Sequence, residues 1–417
     1  MRHFSLLILL CSLCGVCQAH PAATSAVLID WQGSALHAEL QLPQDQLQMA
    51  NPDWPLLSEH QWADQSASLL SGYLQAHIHF YDGNSELSFT LQHSALTELD
   101  SQSYVVAHIL VNLPDIANSP HLRLSDDAIF HRVRNHHIYV SVRSDFQQGI
   151  FPDEPRILGI LKYKHADIDL SRSSPSLWLG VKSMFVHGIE HIAEGADHLF
   201  FLFCLLLPAP LLISASRWAG RRTLKQSLQQ VFWLVSAFTL GHSLTLALGT
   251  FEILTFPSQV VETAVAVTIL IAAWHVYRPI RWLSGVKMAL LFGLIHGMAF
   301  SATLSGMGYD GLTRLLALLA FNLGIESLQL ALVAISMPLL FLLAETALYR
   351  PLRVLGSIIA GIAAMSWMWV RISGESLAFA SWADQFPQWG GWIYLALLCV
   401  ALGSQLVKRF KLRQVIA

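Results

Sequence analysis

Cysteine is almost absent beyond the first 17 residues. Of the five in the chain, Cys11, Cys14 and Cys17 sit at the start, and only Cys204 and Cys399 remain, each within an apolar run. A disulfide framework and a Cys-rich zinc or redox centre are thereby excluded, and the two later cysteines read as small buried hydrophobes. Charge is scarce as well. Asp, Glu, Lys and Arg make up 13% of the chain, against roughly 25% in a soluble protein. The net charge is only −3, and Lys and Arg mostly occupy short loops between apolar segments. That leaves no basic patch for nucleic acid. There is no Walker loop, hence no visible ATP engine, and no dinucleotide fingerprint.

Hydrophobic residues are what the chain has in excess, at 54%, concentrated after about residue 180. Residues 1–19 read as a secretory signal: Arg2 gives a positive start, Leu6 to Leu10 an apolar core, and Ala19 a cleavage point. Residues 20–175 are polar and predict an exported, mostly β domain, sandwich-like, ending in a linker from about Pro152. Apolar and polar residues alternate over Leu36 to Leu42, Tyr73 to Phe80, Leu87 to Leu91, Tyr104 to Val111 and Ile138 to Val142, the period of half-buried strands. Turn signals at Pro43, Asp82-Gly83-Asn84 and Pro114 separate them. His77 and His79 alternate onto one strand face, and His136 and His137 neighbour each other; weak metal collection is one reading of these residues, and solvated surface histidines the preferred one.

Residues 176–417 predict an all-α bundle of seven transmembrane helices, at 184–210, 227–250, 259–276, 285–304, 312–343, 354–371 and 389–406. Each can cross a hydrocarbon layer of about 30 Å, and the fifth is long enough to require tilt or a kink. Basic residues follow alternate segments: Arg217, Arg221, Arg222 and Lys225; Arg278, Arg281 and Lys287; Arg350 and Arg353; Lys408, Arg409, Lys411 and Arg413. The positive-inside rule puts these clusters and the C-terminus in the cytoplasm and leaves the first domain outside, as an exported domain requires. A multi-pass protein of a bacterial-type inner membrane is expected, with the N-terminal domain periplasmic. The lipid bilayer is the certain neighbour in that picture, and an exported protein or peptide is a candidate partner for residues 20–175. Trp274, Trp282, Trp367, Trp369, Trp389 and Trp392 suit interfacial belts, and His275 reads as an interfacial residue.

One stretch stands out. His187 to Phe201, HGIEHIAEGADHLFF, carries three histidines and three carboxylates at the head of an apolar segment. Ionisable groups in hydrocarbon are costly and usually face a bundle interior, an ion or a substrate. On one continuous helix His187, His191 and His198 fall within about 40° of each other, with Glu194 beside them and Glu190 and Asp197 on the flank. Imidazoles at i,i+4 suit a transition metal, and carboxylates complete or support the shell. His242, Glu262, His296 and Glu326 follow on the later helices, and topology sends them all to the middle or outer half of the membrane. The candidate metal residues are therefore His187, His191, Asp197, His198, His242 and His296, supported by Glu190, Glu262 and Glu326.

Two functions fit these residues. A permease needs a site reachable from both faces, with Glu262 and Glu326 neutralising charge. An enzyme needs outer access only: a metal with an open position to activate water, Glu194, Asp197 or Glu326 as general base, and Ser243 as a hydrogen-bond donor. Its substrate would be a lipid, a peptide or a membrane-protein tail. A structural or assembly role is the third alternative.

His191, five intervening residues and Asp197-His198 resemble the His-x5-Asp-His signature of the hydrogenase/urease accessory membrane proteins, the HupE/UreJ family. Gly241-His242-Ser243-Leu244-Thr245-Leu246, Gly293-Leu294-Ile295-His296-Gly297 and Phe321-Asn322-Leu323-Gly324-Ile325-Glu326 resemble the other blocks of its second branch. The resemblance covers residues 180–345 and, loosely, the last two helices. It implies a nickel or cobalt permease with His191, Asp197 and His198 as metal-handling residues; zinc remains the metal of the hydrolase alternative.

Overall fold

The computed structural model describes residues 23–416 apart from 33–34, 55–58, 100–101, 114–120, 173–174, 215–216, 283–284 and 306–310. The expected signal segment, its three cysteines and Pro114 lie outside the described residues. The chain divides into two compact units, Met1–Asp145 with Asp153–Ser173, and Phe146–Pro152 with Ser174–Ala417.

The first unit runs β1 (Ser25–Gln32), β2 (Ala35–Pro43), α1 (Gln44–Ala50), α2 (Glu59–His77), β3 (Ile78–Asp82), β4 (Ser85–Leu87), β5 (Phe89–Leu99), β6 (Gln102–Val111), β7 (Leu122–Asp126), β8 (His137–Asp145), β9 (Arg156–Lys162) and β10 (Asp167–Asp169). One sheet has the order β5-β6-β2-β1-β8-β9, the other β10-β7-β3-β4. The alternation in the sequence explains the pairing of β2 with β6. Leu36, Ala38, Leu40 and Leu42 lie opposite Val111, Ile109, Ala107 and Val105, and all eight are buried. Because side chains alternate faces, this register puts every one of these pairs on the same side. The run Tyr73 to Phe80 is a correction: it is helix through His77 and strand only from Ile78. Leu70 and Leu74 are both fully buried, an i,i+4 spacing that seats a helical face, and the period of two begins only with Ile78 and Phe80.

A partly buried ion network crosses the first sheet. Arg143 on β8 donates through Nε to Asp30 Oδ1 on β1 at 3.1 Å and pairs through its terminal nitrogens with Asp30 and with Glu39 on β2. Ser144 Oγ donates to Asp30 Oδ1 at 2.9 Å. Arg172 forks onto the buried Asp145 and lies 4.6 Å over the Trp31 ring.

The second unit holds a 3-10 turn at Phe146–Gln148, then α3 (Leu177–Glu194), α4 (Ala196–Leu206), the hairpin β11 (Leu211–Ser214) and β12 (Arg217–Arg221), α5 (Leu224–Thr250), α6 (Ser258–Tyr277), α7 (Gly285–Ser305), α8 (Gly311–Leu343), α9 (Tyr349–Ser373), α10 (Ala378–Asp384) and α11 (Phe386–Ile416). Among the described residues five helices, α5, α6, α8, α9 and α11, are long and apolar enough to cross a membrane, and α4 and the Gly285–Ser301 part of α7 are shorter apolar helices. The chain is a multi-pass membrane protein. A capping box starts α5: Gln226 N–H donates to Thr223 Oγ1 and Thr223 N–H to Gln226 Oε1.

The first expected crossing is not one continuous helix. It breaks at Gly195, whose backbone (φ −69°, ψ 93°) leaves the helical region between α3 and α4. Two helix pairs approach backbone to backbone. A Cβ at Gly293 or Gly297 of α7 would strike the carbonyl of Phe238 or His242 on α5, and one at Gly188 of α3 or Gly324 of α8 would strike that of Phe321 or Phe185. Small residues permit this approach in membrane helices, and each contact carries a polar side chain with it.

Candidate metal centre

The break at Gly195 builds the site. On an unbroken helix, residues 191 and 198 would lie about 10 Å apart along the axis. Here the His191 and His198 ring centroids are 4.8 Å apart. The α5–α7 contact adds His242, 6.4 Å from the His198 ring, and His296, 5.1 Å from it. Two groups of ligand atoms result, His191–His198–His242 and Asp197–His198–His296, each with its atoms within 4.8 Å of one another. His198 belongs to both.

The hydrogen bonds fix which nitrogen faces inward. His198 Nδ1–H donates to Asp197 Oδ1 at 2.8 Å, and the same oxygen accepts the His198 backbone N–H. Thr268 Oγ1 donates to the Val265 carbonyl and so accepts from His296 Nε2–H at 2.9 Å. Asn322 Nδ2 donates to the Leu318 carbonyl, which turns Oδ1 to receive Ser243 Oγ at 2.8 Å and, more weakly, His242 Nδ1 at 3.4 Å. The opposite nitrogens, His198 Nε2, His296 Nδ1 and His242 Nε2, together with His191 Nε2, are buried with no hydrogen-bond partner. An unpaired buried polar atom costs about 1–3 kcal/mol, and four of them lie in these two adjoining groups. An imidazole held through one nitrogen by a carboxylate, hydroxyl or amide, with the other nitrogen exposed to the site, is the arrangement that supports metal ligation.

Aromatic rings close the space around the cluster. Phe300 and Phe321 stack at 4.5 Å and lie 4.6 and 5.3 Å from His191, while Phe201 and Phe238 each lie 5.4 Å from His296. A cavity of about 130 Å³ reaches Asp197 and is lined also by Glu262, Arg371, Trp367 and Asp384. Arg371 Nε pairs with Glu262 at 3.1 Å, and Trp367 Nε1 donates to Asp384 at 2.8 Å. The Asp197 side chain is 35% exposed there, against 7% for His198. Asp197 thus faces the cavity while its Oδ1 holds His198.

Residues 169–371 match a family model described as HupE / UreJ protein. This segment, just under half of the chain, is similar to the HupE/UreJ family. No curated protein matches the chain. The HupE/UreJ segment contains every group of the cluster and all but Asp384 of the polar cavity lining named above.

Other expected site residues lie elsewhere. His187 sits one turn before His191 among Phe151, Phe300 and Phe321, at 5.6 to 5.9 Å, and joins neither ligand group. Glu190 and Glu194 are exposed on α3, and Glu326 is half-buried on α8 outside both groups. His275 is buried, accepts the Ile280 N–H at its Nδ1 and gives its carbonyl to Trp218. Thr268, Arg371 and Phe300 had no motif to announce them. The one available signal for Asn322 was its place in the Phe321 to Glu326 block, four residues after the carbonyl that orients it.

Proposed function

We propose that the chain is a divalent transition-metal permease of the HupE/UreJ type, with the metal as its cargo. His191, His198 and His242 receive the ion, and Asp197 and His296 form the adjoining position that shares His198. The observation that carries this reading is the set of four buried, unpaired imidazole nitrogens in two adjoining groups that share His198. The donor set, imidazole with one carboxylate, fits nickel, cobalt or zinc and disfavours calcium or magnesium, which take oxygen. Two positions sharing one histidine allow stepwise movement: an ion need not lose all its ligands to pass from one to the other.

The proposed orientation puts the β-rich unit outside and the C-terminus in the cytoplasm, on the positive-inside rule. In it α3 and α4 make one broken crossing and α4 through α11 supply seven spans in all, with the hairpin and α10 as connections. The cavity at Asp197 then opens outward and receives the hydrated ion. Glu262 and Asp384 attract it, and the Glu262–Arg371 pair governs how much negative charge is free. On the other side Phe201, Phe238 and Phe292 pack ring to ring, at 5.0 and 5.7 Å, so inward release requires these rings to part.

A zinc-dependent hydrolase is the second reading, favoured by three imidazoles with an open fourth position next to a hydroxyl. A metal in that position supplies Lewis acidity and an activated water. Asp197 orients His198 and faces the cavity by which water would arrive, while Asn322 holds both Ser243 and His242. Glu194 and Glu326 are outside the cluster and take no part in it.

Uptake by proteoliposomes loaded with a metal-sensitive dye separates the two. A permease gives saturable nickel or cobalt uptake that His198→Ala and His296→Ala abolish. Tightly held zinc with no uptake in the wild type rejects transport in favour of the fixed site.

A further inference from the structure

The β-rich unit holds a second cluster of ligands. His77 ends α2, and Asp127 and His131 stand in the turn after β7. Each offers one ligand atom, and these lie within 4.8 Å of one another. All three are half-buried, so the group is fixed yet open to solvent.

The backbone pins the cluster. Asp127 N–H donates to the His77 carbonyl at 3.1 Å, and His131 N–H donates to the Asp127 carbonyl at 3.2 Å. His131 Nδ1–H donates to that same carbonyl at 2.9 Å, which reserves the Nε2 lone pair for a ligand. His77 Nδ1 shares a proton with Asp127 Oδ1 at 2.7 Å. The His77 ring lies between two others, Tyr73 at 4.6 Å and His131 at 4.3 Å with an interplanar angle of 20°. The Tyr73 hydroxyl donates to the Ala128 carbonyl, and the Ala128 N–H donates to Asp126 Oδ1 at 2.9 Å, so the turn is held from both sides. Little rotamer entropy remains to be lost on binding, which is what preorganised ligands require. The strand-face pairing of His77 with His79 does not occur; His79 hydrogen-bonds Glu86 at 2.7 Å instead.

We infer that His77, Asp127 and His131 form a binding site for a divalent ion that prefers imidazole, of the Zn²⁺ class, with its remaining positions open to water. Two imidazoles and one carboxylate are a known three-ligand set for zinc. The ion replaces the proton between His77 Nδ1 and Asp127 Oδ1, and that proton leaves to solvent. With metal–ligand distances near 2.0 Å and tetrahedral angles, these two atoms part from 2.7 Å to about 3.3 Å. The inference is independent of whether the helices carry a metal.

The test uses the full chain in detergent, with Zn²⁺ as the probe and His198→Ala as the background that removes the ligand shared by both groups in the helices. In that background a single equivalent of Zn²⁺ remains bound. Asp127→Asn and His131→Ala each weaken it by at least about tenfold, while hydrogen exchange of α2 and β7 stays at the background level. Asp127→Asn keeps a hydrogen bond to His77 and loses only the charge, so it separates ligation from folding. No zinc bound in the His198→Ala background overturns the inference. So does zinc that both further variants bind as tightly as the background does.

Discussion

Two polar clusters, one in each unit, are satisfied in opposite ways. In the β-rich unit Arg143 and Asp30 meet through two parallel contacts, Glu39 takes another Arg143 nitrogen and Ser144 supplies a further donor. That network is saturated and has nothing left to offer a ligand. In the helical unit His198, His242 and His296 are each satisfied on one nitrogen and left without a hydrogen-bond partner on the other. A saturated cluster holds a fold together. A half-saturated one, whose outer halves are carefully engaged, is arranged for something that arrives later.

Removing ligands should distinguish these cases most strongly. His198→Ala takes the shared ligand from both groups and is expected to abolish stoichiometric metal binding in the helices, measured as zinc, nickel or cobalt retained after desalting. Without metal the same variant loses the unpaired Nε2 together with the Nδ1–H bond to Asp197 and the packing of the ring, so it should destabilise the protein less than Arg143→Ala does. Arg143→Ala is the opposite case. It leaves Asp30 and Glu39 without a cation and costs about 3–5 kcal/mol, read as accelerated hydrogen exchange in β1, β2 and β8, with metal content unchanged. If Arg143→Ala were silent and His198→Ala unfolded the apo protein, the contrast would be wrong.

A finer test acts on the groups behind the ligands. Asn322→Leu removes the acceptor of His242 and Ser243, and Thr268→Val removes that of His296. Each should weaken metal binding by about 10–100-fold without changing helix content. Equal affinity in both variants would mean that the imidazoles are held by packing alone.

The smallest expected effect is a pH dependence of the β-rich unit. His136 is buried, with Nε2 at 2.8 Å from Ser25 Oγ. Burial, with His137 nearby, pushes its imidazole down to about 4. The unfolded chain takes up this proton near pH 6.5, while the folded chain refuses it until about pH 4. Stability is therefore complete above pH 6.5 and declines as pH falls toward 4, by about 1–2 kcal/mol at pH 5. Hydrogen exchange of β1 and β8 should speed up over that window, and His136→Gln should flatten this part of the dependence.

Much of this was legible in the sequence. Alternation located β2, β6 and β8, because one buried face imposes a period of two. Histidines and glycines at fixed spacing marked the motif blocks that resemble the HupE/UreJ family. The break at Gly195 was not legible: a glycine within an apolar run is compatible with a continuous helix, and only the packing of α3 and α4 against different neighbours decides. Glu190 and Glu194 share α3 with His191 but are exposed on it, and only the neighbours of α3 decide which part of its face is buried. Thr268 and Arg371 act through partners on other helices, His296 and Glu262, and local spacing carries no trace of such pairs.

X-ray absorption of the metal bound to the purified full chain, in wild type and His198→Ala, tests the central claim most directly. To isolate the helical site, both are measured with Asp127→Asn in place. The account predicts a first shell dominated by imidazole nitrogen at about 2.0–2.1 Å for zinc, present in the wild type and gone in His198→Ala. A shell without imidazole, or one that His198→Ala leaves intact, would contradict it.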